Sequence, residues 1–404
     1  MGDSQVTSAP INELAGAGEM MRSVTFAQLA LICAVALLGP LLAVQRLARI
    51  PVVIGELAVG IALGASGFNV LDSSNATFGF LAQVGFALVM LVAGSHVPVR
   101  DAALRVGAVR GVARAVAIGA LSIPVALLIA RAFDTGHPAL YAVILTSSSA
   151  SLIMPSLAGV RLSGRAIVEM LPQIAIADAV CIVLLPLVID PAHVGRAALG
   201  SALVLGAGGV VFLVLRTFER RGLRRRVHHV SEERGLAVEL RSTLALLFGL
   251  AAIAAVTHVS VMLAGFVLGL TIAGIGEPRR LTNQVFAMTE GFFAPIFFVW
   301  LGASLDLRQL AQHPSAIALG LSLGVAAAVV HGVLAVTGQP WPVAVLTSAQ
   351  LGVPVAAATL GTTLGVLRPG ENTALLLSAL VTVAITAVLT GRVAKLAQAP
   401  MVPG

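Results

Sequence analysis

One acidic residue, Asp178, lies near the middle of a long apolar segment, residues 167–189. It is thirteen residues from Arg165 and twelve from Asp190, or about 18–20 Å in each direction along a helix. The hydrocarbon core of a bilayer is about 30 Å thick, so these distances place the carboxylate near its centre. A carboxylate at that depth is costly and normally serves an ion or proton pathway. Asp178 is therefore the first candidate for chemistry, and the alternative is a loop carboxylate.

Two further stretches concentrate hydroxyl and amide groups around a proline inside apolar segments. Residues 145–157 read LTSSSASLIMPSL, and residues 346–355 read LTSAQLGVPV. A proline removes a backbone donor, and nearby hydroxyls can bond the freed carbonyls, so both stretches are predicted to unwind within the span. The alternative is two kinked helices whose hydroxyls only pack across an interface. The side chains that could complete the ligand shell of a cation are Thr146, Ser147, Ser148, Ser149, Ser348 and Gln350.

Several other ionisable residues lie inside apolar segments. His331 is a candidate partner for ionised Asp178 that a bound cation would displace, and the alternative is a neutral core histidine bonded to a carbonyl. Glu290 is a candidate inner gate or secondary proton group. Glu56 is a candidate for attracting cations into a vestibule, with interfacial solvation as its alternative. Glu169 begins the span of Asp178, where we expect it to stabilise a helix N-terminus.

These groups must be positioned by apolar segments of membrane-spanning length. The chain has 404 residues, of which 58% are hydrophobic and only 11% charged, whereas soluble domains are about 25% charged. The composition predicts an all-α polytopic membrane protein. About thirteen spans are predicted, at residues 26–45, 52–68, 78–97, 107–130, 139–158, 166–189, 195–215, 240–257, 259–275, 284–304, 314–337, 341–366 and 372–394.

The rest of the chain excludes several classes of protein. Residues 1–21 are predicted to be a disordered tail and residues 398–404 a short C-terminal tail, on either side of a membrane domain at 22–397. The net charge is +7, but the basic residues lack the aromatic interleaving of a nucleic-acid surface. Cys33 and Cys181 lie in apolar segments, which argues against a disulfide framework or a zinc cluster. Without a catalytic or phosphate-binding motif in a suitable context, neither an enzyme nor a bound cofactor is predicted.

The distribution of positive charge predicts the orientation. If the N-terminus lies outside, 20 of the 25 Lys and Arg residues fall on the cytoplasmic side. The segment 216–241 alone carries eight arginines. Because cytoplasmic loops are enriched in positive charge, we expect the N-terminus outside and the C-terminus inside a cell membrane of the bacterial type.

Three short patterns recur in the same order at similar offsets. Gly60–Gly64 resembles Gly265–Gly269 at an offset of 205, Gly94 resembles Gly302 at 208, and Thr146 resembles Thr347 at 201. These matches pair spans 2, 3 and 5 with spans 9, 10 and 12, which come seven membrane crossings later. An odd number of crossings reverses the direction of the chain in the membrane. We therefore expect two inverted repeats with two crossed broken helices, a construction typical of secondary transporters. The repeats are placed at about 26–190 and 240–396, joined by the span 195–215 and a basic cytoplasmic loop, 216–241.

The ordered motifs resemble those of the cation:proton antiporter-2 family. The motifs are RIPVVIGELAVGIALG at 49–64, LVMLVAG at 88–94, TSSSASLIMPSL at 146–157, the span around Asp178, and GFFAPIFFVWLGASLD at 291–306. The resemblance implies thirteen helices in inverted repeats, with a six-helix core domain that moves against a dimerisation domain. It also implies a homodimer in the lipid bilayer that exchanges protons for sodium or potassium.

The resemblance identifies Asp178 as the aspartate that binds the monovalent cation. This chain departs from the family at Ala177, where the family usually has Asp or Asn, and at His331, in the span where the family commonly has Lys or Arg. The predicted function is exchange of protons for monovalent cations by alternating access at Asp178. Two alternatives are a symporter or organic-anion carrier with a roomier apolar cavity, and a non-transporting membrane sensor, which the two departures motivate.

Overall fold

A computed structural model describes most of the spans predicted above. The described residues are 25–38, 52–97, 99, 102–149, 152–153, 165–221, 236–276, 279–305 and 307–398. The predicted N-terminal tail, the end of the C-terminal tail and the centre of the basic loop lie outside these ranges. Within them the chain forms helices and short connections.

The first half of the described chain forms seven helices. Threonine and asparagine caps fix two of the helix starts, because Thr25 accepts the backbone N–H of Gln28 at 3.2 Å and Asn75 accepts that of Phe78 at 3.0 Å. The seven helices are α1 (Phe26–Ala36), α2 (Val52–Leu63), α3 (Ala76–Ser95), α4 (Ala102–Ala132), α5 (Pro138–Thr146), α6 (Arg165–Ile189) and α7 (Val194–Arg220).

The second half contains nine helices, several of them short. A π-helical turn, Thr289–Phe293, joins α10 to α11, and a 3₁₀ turn, Leu334–Thr337, follows α13. The nine helices are α8 (Val238–Val256), α9 (Val261–Ile275), α10 (Arg279–Met288), α11 (Ala294–Ala303), α12 (Leu307–Gln312), α13 (Pro314–Val333), α14 (Trp341–Leu346), α15 (Gly352–Leu364) and α16 (Glu371–Gln398).

Each of the thirteen predicted spans contains at least one described helix, which confirms the polytopic all-α class. Eight continuous segments of the described chain are long and apolar enough to cross a membrane, and four shorter apolar helices accompany them. The fifth and twelfth predicted spans are interrupted, since α5 ends at Thr146 and a gap separates α14 from α15. The seventh helix is longer than predicted and carries the first arginines of the basic segment, up to Arg220.

The two halves pack through reciprocal helix pairs. Helix α3 packs on α9 and α2 on α11, while α4 packs on α6 and α13 on α16. Glycines make the first two pairings close: a Cβ atom built on Gly60 would lie 2.8 Å from the Cα of Gly302, and one built on Gly269 would lie 2.8 Å from the Cα of Gly94. Only glycine permits such contact between helix backbones.

These reciprocal contacts correct the register of the sequence repeat. Because Gly60 meets Gly302 and Gly269 meets Gly94, the structural counterpart of Gly60 is Gly269 and not Gly265. The equivalence is one helical turn further along than the sequence comparison indicates. Small-residue patterns repeat every four positions in these helices, so they fix the face of a helix more firmly than its register.

Candidate functional site

Two interrupted helices meet in the interior of the protein. The first break begins at Ser147, where the backbone becomes extended, and includes Ser148 and Ser149. The backbone N–H groups of Leu152 and Ile153 then donate to the carbonyl of Ser149, at 3.3 and 3.1 Å. The second break covers residues 347–351, between α14 and α15. The structure therefore has the two mid-span breaks predicted from the hydroxyl and proline clusters.

Side chains of one break bond directly to the other break. The hydroxyl of Ser148 donates to the backbone carbonyl of Thr347 at 2.7 Å, and Oγ of Ser147 lies 2.6 Å from Oε1 of Gln350. Ser147, Ser148 and Gln350 are all less than 3% exposed. The two broken segments thus cross in contact, and their contacts are polar in an otherwise apolar core.

The amide of Gln350 has one polar atom without a protein partner. Ser147 has a single hydroxyl hydrogen but two acceptors, Oε1 of Gln350 at 2.6 Å and the carbonyl of Ile144 at 2.9 Å. If the serine donates to Ile144, the amide nitrogen must face the serine, since amide oxygen and nitrogen are assigned from such networks. As drawn, Nε2 has no hydrogen-bond partner among the described residues. The exchanged orientation instead leaves an unpartnered, buried amide oxygen.

His331 on α13 links both broken helices. Its Nε2 lies 3.1 Å from the backbone carbonyl of Leu145, and its Nδ1 lies 2.8 Å from Oγ1 of Thr347. A carbonyl only accepts, so Nε2 carries a hydrogen. The ring is 0% exposed. The hydrogen bond to the carbonyl of Leu145 is the one expected of a neutral core histidine. In addition, both ring nitrogens of His331 bond residues at the breaks.

The bonds around Thr347 accept either protonation state of His331. A neutral ring accepts at Nδ1 and takes the hydroxyl hydrogen of Thr347. A protonated ring donates at Nδ1, and the hydroxyl hydrogen can turn to the carbonyl of Ala344, 2.7 Å away. Gln173 of α6 donates to the same hydroxyl oxygen at 3.1 Å. One hydroxyl rotation therefore accommodates a proton at His331 without separating the helices.

Asp178 is a buried residue of α6, a helix that packs on both broken helices. The residue is 5% exposed, and α6 packs against α5, α14 and α15, the helices that border the breaks. Gln173 is five residues earlier on the same helix, or about 7.5 Å along its axis. It connects α6 to the second break through Thr347 and accepts from Nε2 of Gln339 at 3.3 Å. The carboxylate is thus on a helix that is itself bonded to the crossing.

Three predicted ligand residues have local roles in this conformation. The hydroxyl of Thr146 donates to Ala142 at 2.7 Å, and that of Ser348 donates to Val345 at 2.7 Å, each within its own helical turn. Ser149 is buried and starts the chain segment after the first break. Thr146 and Ser348 thus border the breaks, and the hydroxyl of each bonds a carbonyl of its own segment.

Glu56 and Glu290 form a separate group. Glu56 is 4% exposed on α2, whereas Glu290 is exposed in the π-helical turn before α11. The two carboxylates are close enough for their charges to interact, and His96 interacts with Glu290 in the same way. Glu56 lies on α2, which packs on α11, the helix that directly follows the turn of Glu290.

Sequence reasoning missed two buried carboxylate clusters at the ends of the broken-helix region. Glu169 pairs with Arg110 at 2.8 Å and Arg114 at 2.9 Å, and Nε of Arg114 donates to Oγ1 of Thr337 at 2.9 Å. This is an ion-pair network between helices and not the helix-end role expected for Glu169. Glu371 lies in a second cluster, described below. The sequence signal in both cases is an isolated glutamate at the start of a span.

Comparison with known proteins agrees with this architecture. The family model described as "Sodium/hydrogen exchanger, transmembrane" matches residues 33–396. The chain belongs to this family of membrane antiporters. A relative in Bacillus subtilis (strain 168), described as "Putative Na(+)/H(+) antiporter YjbQ", is 23% identical over 405 residues. The match covers 94% of this chain and 65% of that relative, so the chain spans about two thirds of the relative's length.

Solved structures of a sodium proton antiporter share the fold. The structure of MjNhaP1 from Methanocaldococcus jannaschii at pH 8 is 16% identical, with a TM-score of 0.64 and coverage of 94% of this chain and 98% of that chain. An electron-microscopy structure of MjNhaP1 gives a TM-score of 0.66 at 16% identity, covering 95% and 100% of the two chains. These similarities support the fold, while the roles of individual residues must be argued from this chain.

Proposed function

We propose that this protein exchanges protons for a monovalent cation, sodium or potassium, by alternating access at Asp178. The observation that carries the proposal is the buried carboxylate of Asp178 on α6, a helix that packs on both interrupted helices and is bonded to the second of them through Gln173. Intramembrane carboxylates are retained where they bind ions or protons, and broken helices at the interface of inverted repeats hold the ion sites of secondary transporters.

The carboxylate of Asp178 binds either a proton or a cation, and this competition couples the two fluxes. Protonated Asp178 is neutral and stable in the apolar core. Ionised Asp178 needs a cation, whose remaining ligands are oxygen atoms. The candidate oxygens are at the breaks, on the helices that α6 packs against: the hydroxyl of Ser147, backbone carbonyls of the breaks, and the amide oxygen of Gln350 in its exchanged orientation. The cation therefore replaces the proton at one set of groups.

His331 positions the two breaks for this competition. His331 lies on a third helix, α13, and bonds Leu145 of the first broken helix and Thr347 of the second. It therefore fixes the distance between the two broken helices. The expected ion pair between His331 and ionised Asp178 is replaced in our proposal by this bridging role. The imidazole then affects Asp178 through the breaks and through Gln173.

The proposal includes the orientation and assembly predicted from the sequence. The N-terminus lies outside and the C-terminus in the cytoplasm, supported by the excess of Lys and Arg on one side. Labelling of single cysteines placed at residues 99 and 236 from each side of the membrane tests the orientation. A homodimer would cover part of the apolar residues exposed on α7, such as Leu199, Leu203 and Leu213. Crosslinking of a Leu203→Cys variant tests this contact.

Proteoliposomes test the exchange and its residue. Vesicles with an internal acid load and a pH dye receive sodium, potassium, lithium or choline outside. The wild type should alkalinise the lumen with at least one alkali cation and not with choline. Asp178→Asn should remove the response, while Asp190→Asn, a more accessible aspartate at the end of the same segment, should retain it. Exchange that persists in Asp178→Asn would overturn the assignment. Wild-type vesicles without any cation response would favour the sensor interpretation.

The bridging role of His331 has its own test. His331→Gln retains a donor and an acceptor for the carbonyl of Leu145 and the hydroxyl of Thr347, but it cannot change charge. His331→Leu removes both bonds. We expect exchange to continue in His331→Gln and to fall about tenfold or more in His331→Leu, since one lost buried bond costs about 1–3 kcal/mol and 1.4 kcal/mol is tenfold in rate. Equal activity in the two variants would contradict the bridging role.

A further inference from the structure

A second buried carboxylate, Glu371, joins α5 and α16 at the ends where these helices begin. The first break lies at the other end of α5. Glu371 is the first residue of α16 and is 2% exposed. Its Oε1 accepts the hydroxyl of Tyr141 at 2.7 Å and Nδ1 of His137 at 2.9 Å. Its Oε2 accepts the backbone N–H of Arg368 at 2.9 Å. The carboxylate therefore connects the beginning of α16 with the beginning of α5.

This connection lies on the first broken helix itself. Helix α5 begins at Pro138, directly after His137, and ends at Thr146 at the first break. Its length of nine residues corresponds to about 13.5 Å. A rigid helix of this length transmits any displacement of its first turn to its last turn. The last turn contains Leu145, whose carbonyl bonds His331. The position of the first break thus depends on what holds His137 and Tyr141.

The partners of Glu371 differ in whether their charge can change. The phenol of Tyr141 is fully buried, and the N–H of Arg368 is a fixed backbone donor. The side chain of His137 is 19% exposed and in contact with solvent. Histidine is the side chain whose charge normally changes between about pH 5 and pH 8. A proton on His137 converts one hydrogen bond of Glu371 into an ion pair.

The other charged groups nearby do not replace this partner. The guanidinium of Arg368 points to Asp134, 3.5 Å away, at an exposed position. His313, at the start of α13, lies beside Gly370. Among the described residues, the ion pairs and side-chain bonds of Glu371 join it only to His137, Tyr141 and Arg368.

The matching position of the other repeat provides an internal reference. Glu169 and Glu371 are 202 residues apart, close to the 201 residues that separate Thr146 from Thr347. Glu169 is held by Arg110 and Arg114, whose charge is permanent in this pH range. Each glutamate lies on the helix that follows one broken helix and is connected to the residues just before the other. Glu169 reaches Thr337 through Arg114, and Glu371 contacts His137 directly. Of the two glutamates, only Glu371 has a histidine among its described partners.

We propose that Glu371 is a positioning residue for the transport site, and that protonation of His137 strengthens its hold on α5 and so restrains exchange at acid pH. The inference rests on the proposed exchange at Asp178. The sign follows from the pair: Glu371 and His137 form an ion pair when the imidazole carries a proton, and a neutral hydrogen bond when it does not. Helix α5 is therefore most firmly fixed at acid pH and freer to move at alkaline pH.

Three variants separate this proposal from a purely structural role. His137→Arg makes the positive partner permanent, and His137→Gln makes it permanently neutral. His193→Gln is a matched control, because His193 also lies directly before a helix and contacts a carboxylate, Asp190, at 2.8 Å, but its side chain is 61% exposed. Initial exchange rates are measured in proteoliposomes at several values between about pH 5 and pH 9.

The pH profile decides the matter. His137→Gln should raise exchange on the acid side several-fold, His137→Arg should lower it on the alkaline side several-fold, and His193→Gln should follow the wild type. Profiles of both His137 variants that coincide with the wild type would overturn the proposal. So would parallel losses at every pH, which indicate a structural contact only.

A readout without transport keeps this inference separate from the proposed function. Thermal unfolding of the detergent-solubilised protein should show a melting temperature higher in the wild type than in His137→Gln below about pH 6, and equal in both above about pH 8. This result with no exchange activity would sink the proposed function and leave the pH-dependent contact standing. A difference that does not change with pH would overturn the inference, whether or not the protein transports.

Discussion

Helices α6 and α16 hold the same position in the two repeats, but their polar residues differ. Each follows a broken helix and packs on its own repeat's long helix, α4 or α13. At an offset of 202 residues, the counterparts of Gln173 and Asp178 on α16 are Leu375 and Leu380. Helix α16 instead bonds the second break through a hydroxyl: Oγ1 of Thr382 lies 3.4 Å from the backbone nitrogen and from the carbonyl oxygen of Gln350.

The difference separates the scaffold of the site from its chemistry. The duplicated backbone supplies one break in each repeat, and the two breaks cross in contact. The mid-span carboxylate, Asp178, is present in one repeat only, because Leu380 stands at the matching position of α16. Under the proposed function, this one mid-span carboxylate is the group at which a cation competes with a proton.

Substitution of the glutamates near the start of the two helices, Glu169 and Glu371, should give the largest difference in the free energy of unfolding. Glu169→Gln leaves the guanidinium of Arg114, 6% exposed, without its counter-charge, and removing one partner of a buried ion pair costs about 3–5 kcal/mol. Glu371→Gln keeps an amide oxygen for Tyr141 and should cost less, about 1–3 kcal/mol. Thermal unfolding in detergent at about pH 8 compares them, with the exposed Asp134→Asn as control. A larger loss in Glu371→Gln would reverse the comparison.

Making α6 resemble α16 at one position should slow exchange without unfolding the protein. Gln173→Leu copies Leu375, removes the bond to Thr347 and leaves the amide of Gln339 without an acceptor. A lost bond of this kind corresponds to about 1–2 kcal/mol, or about tenfold in exchange rate. Ser378→Ala on α16 is the matched control, because its equally buried hydroxyl bonds only its own helix, at Leu375. Unchanged exchange in Gln173→Leu would show that α6 acts without this bond.

The two breaks themselves should respond unequally to loss of a hydroxyl. Ser147→Ala removes the contact with Gln350 and should raise the KM for the cation several-fold, since it removes both a candidate ligand and the partner of another. Ser348→Ala removes a bond to Val345 within the same turn and should change KM less than twofold, the smallest effect predicted here. Cation titrations of the exchange rate compare them. A KM for Ser348→Ala above that of Ser147→Ala would show that the hydroxyl ligand is Ser348 and not Ser147.

Local sequence is sufficient to predict that Asp178 lies within a helical span, and to predict both breaks and the thirteen helical spans. An isolated carboxylate in an apolar segment and a cluster of hydroxyls around proline are visible within a single span. The contacts at the crossing were not predictable in this way. Gln350 meets Ser147 across 203 residues, and Gln339 meets Gln173 across 166. No pattern within one helix encodes which buried amide faces which partner.

The ionisable residues show the same limit. His331 was correctly singled out as a titratable group inside the core, but its partners are a threonine hydroxyl and a backbone carbonyl, and a carbonyl has no sequence signal. The sequence around Glu169 predicts a helix-end role, because nothing near it indicates its arginine partners. One of them, Arg110, is 59 positions away on another helix. The one-turn error in the glycine register arose from small residues that recur with the period of the helix.

Proton release on cation binding tests the central claim most directly. Purified protein in a weakly buffered detergent solution is titrated with the cation that drives exchange, and the protons released are measured with a pH indicator. Near the midpoint of exchange activity, the wild type should release up to one proton per bound cation, and Asp178→Asn should release none. Proton release of wild-type size in Asp178→Asn would show that the competition takes place at another group.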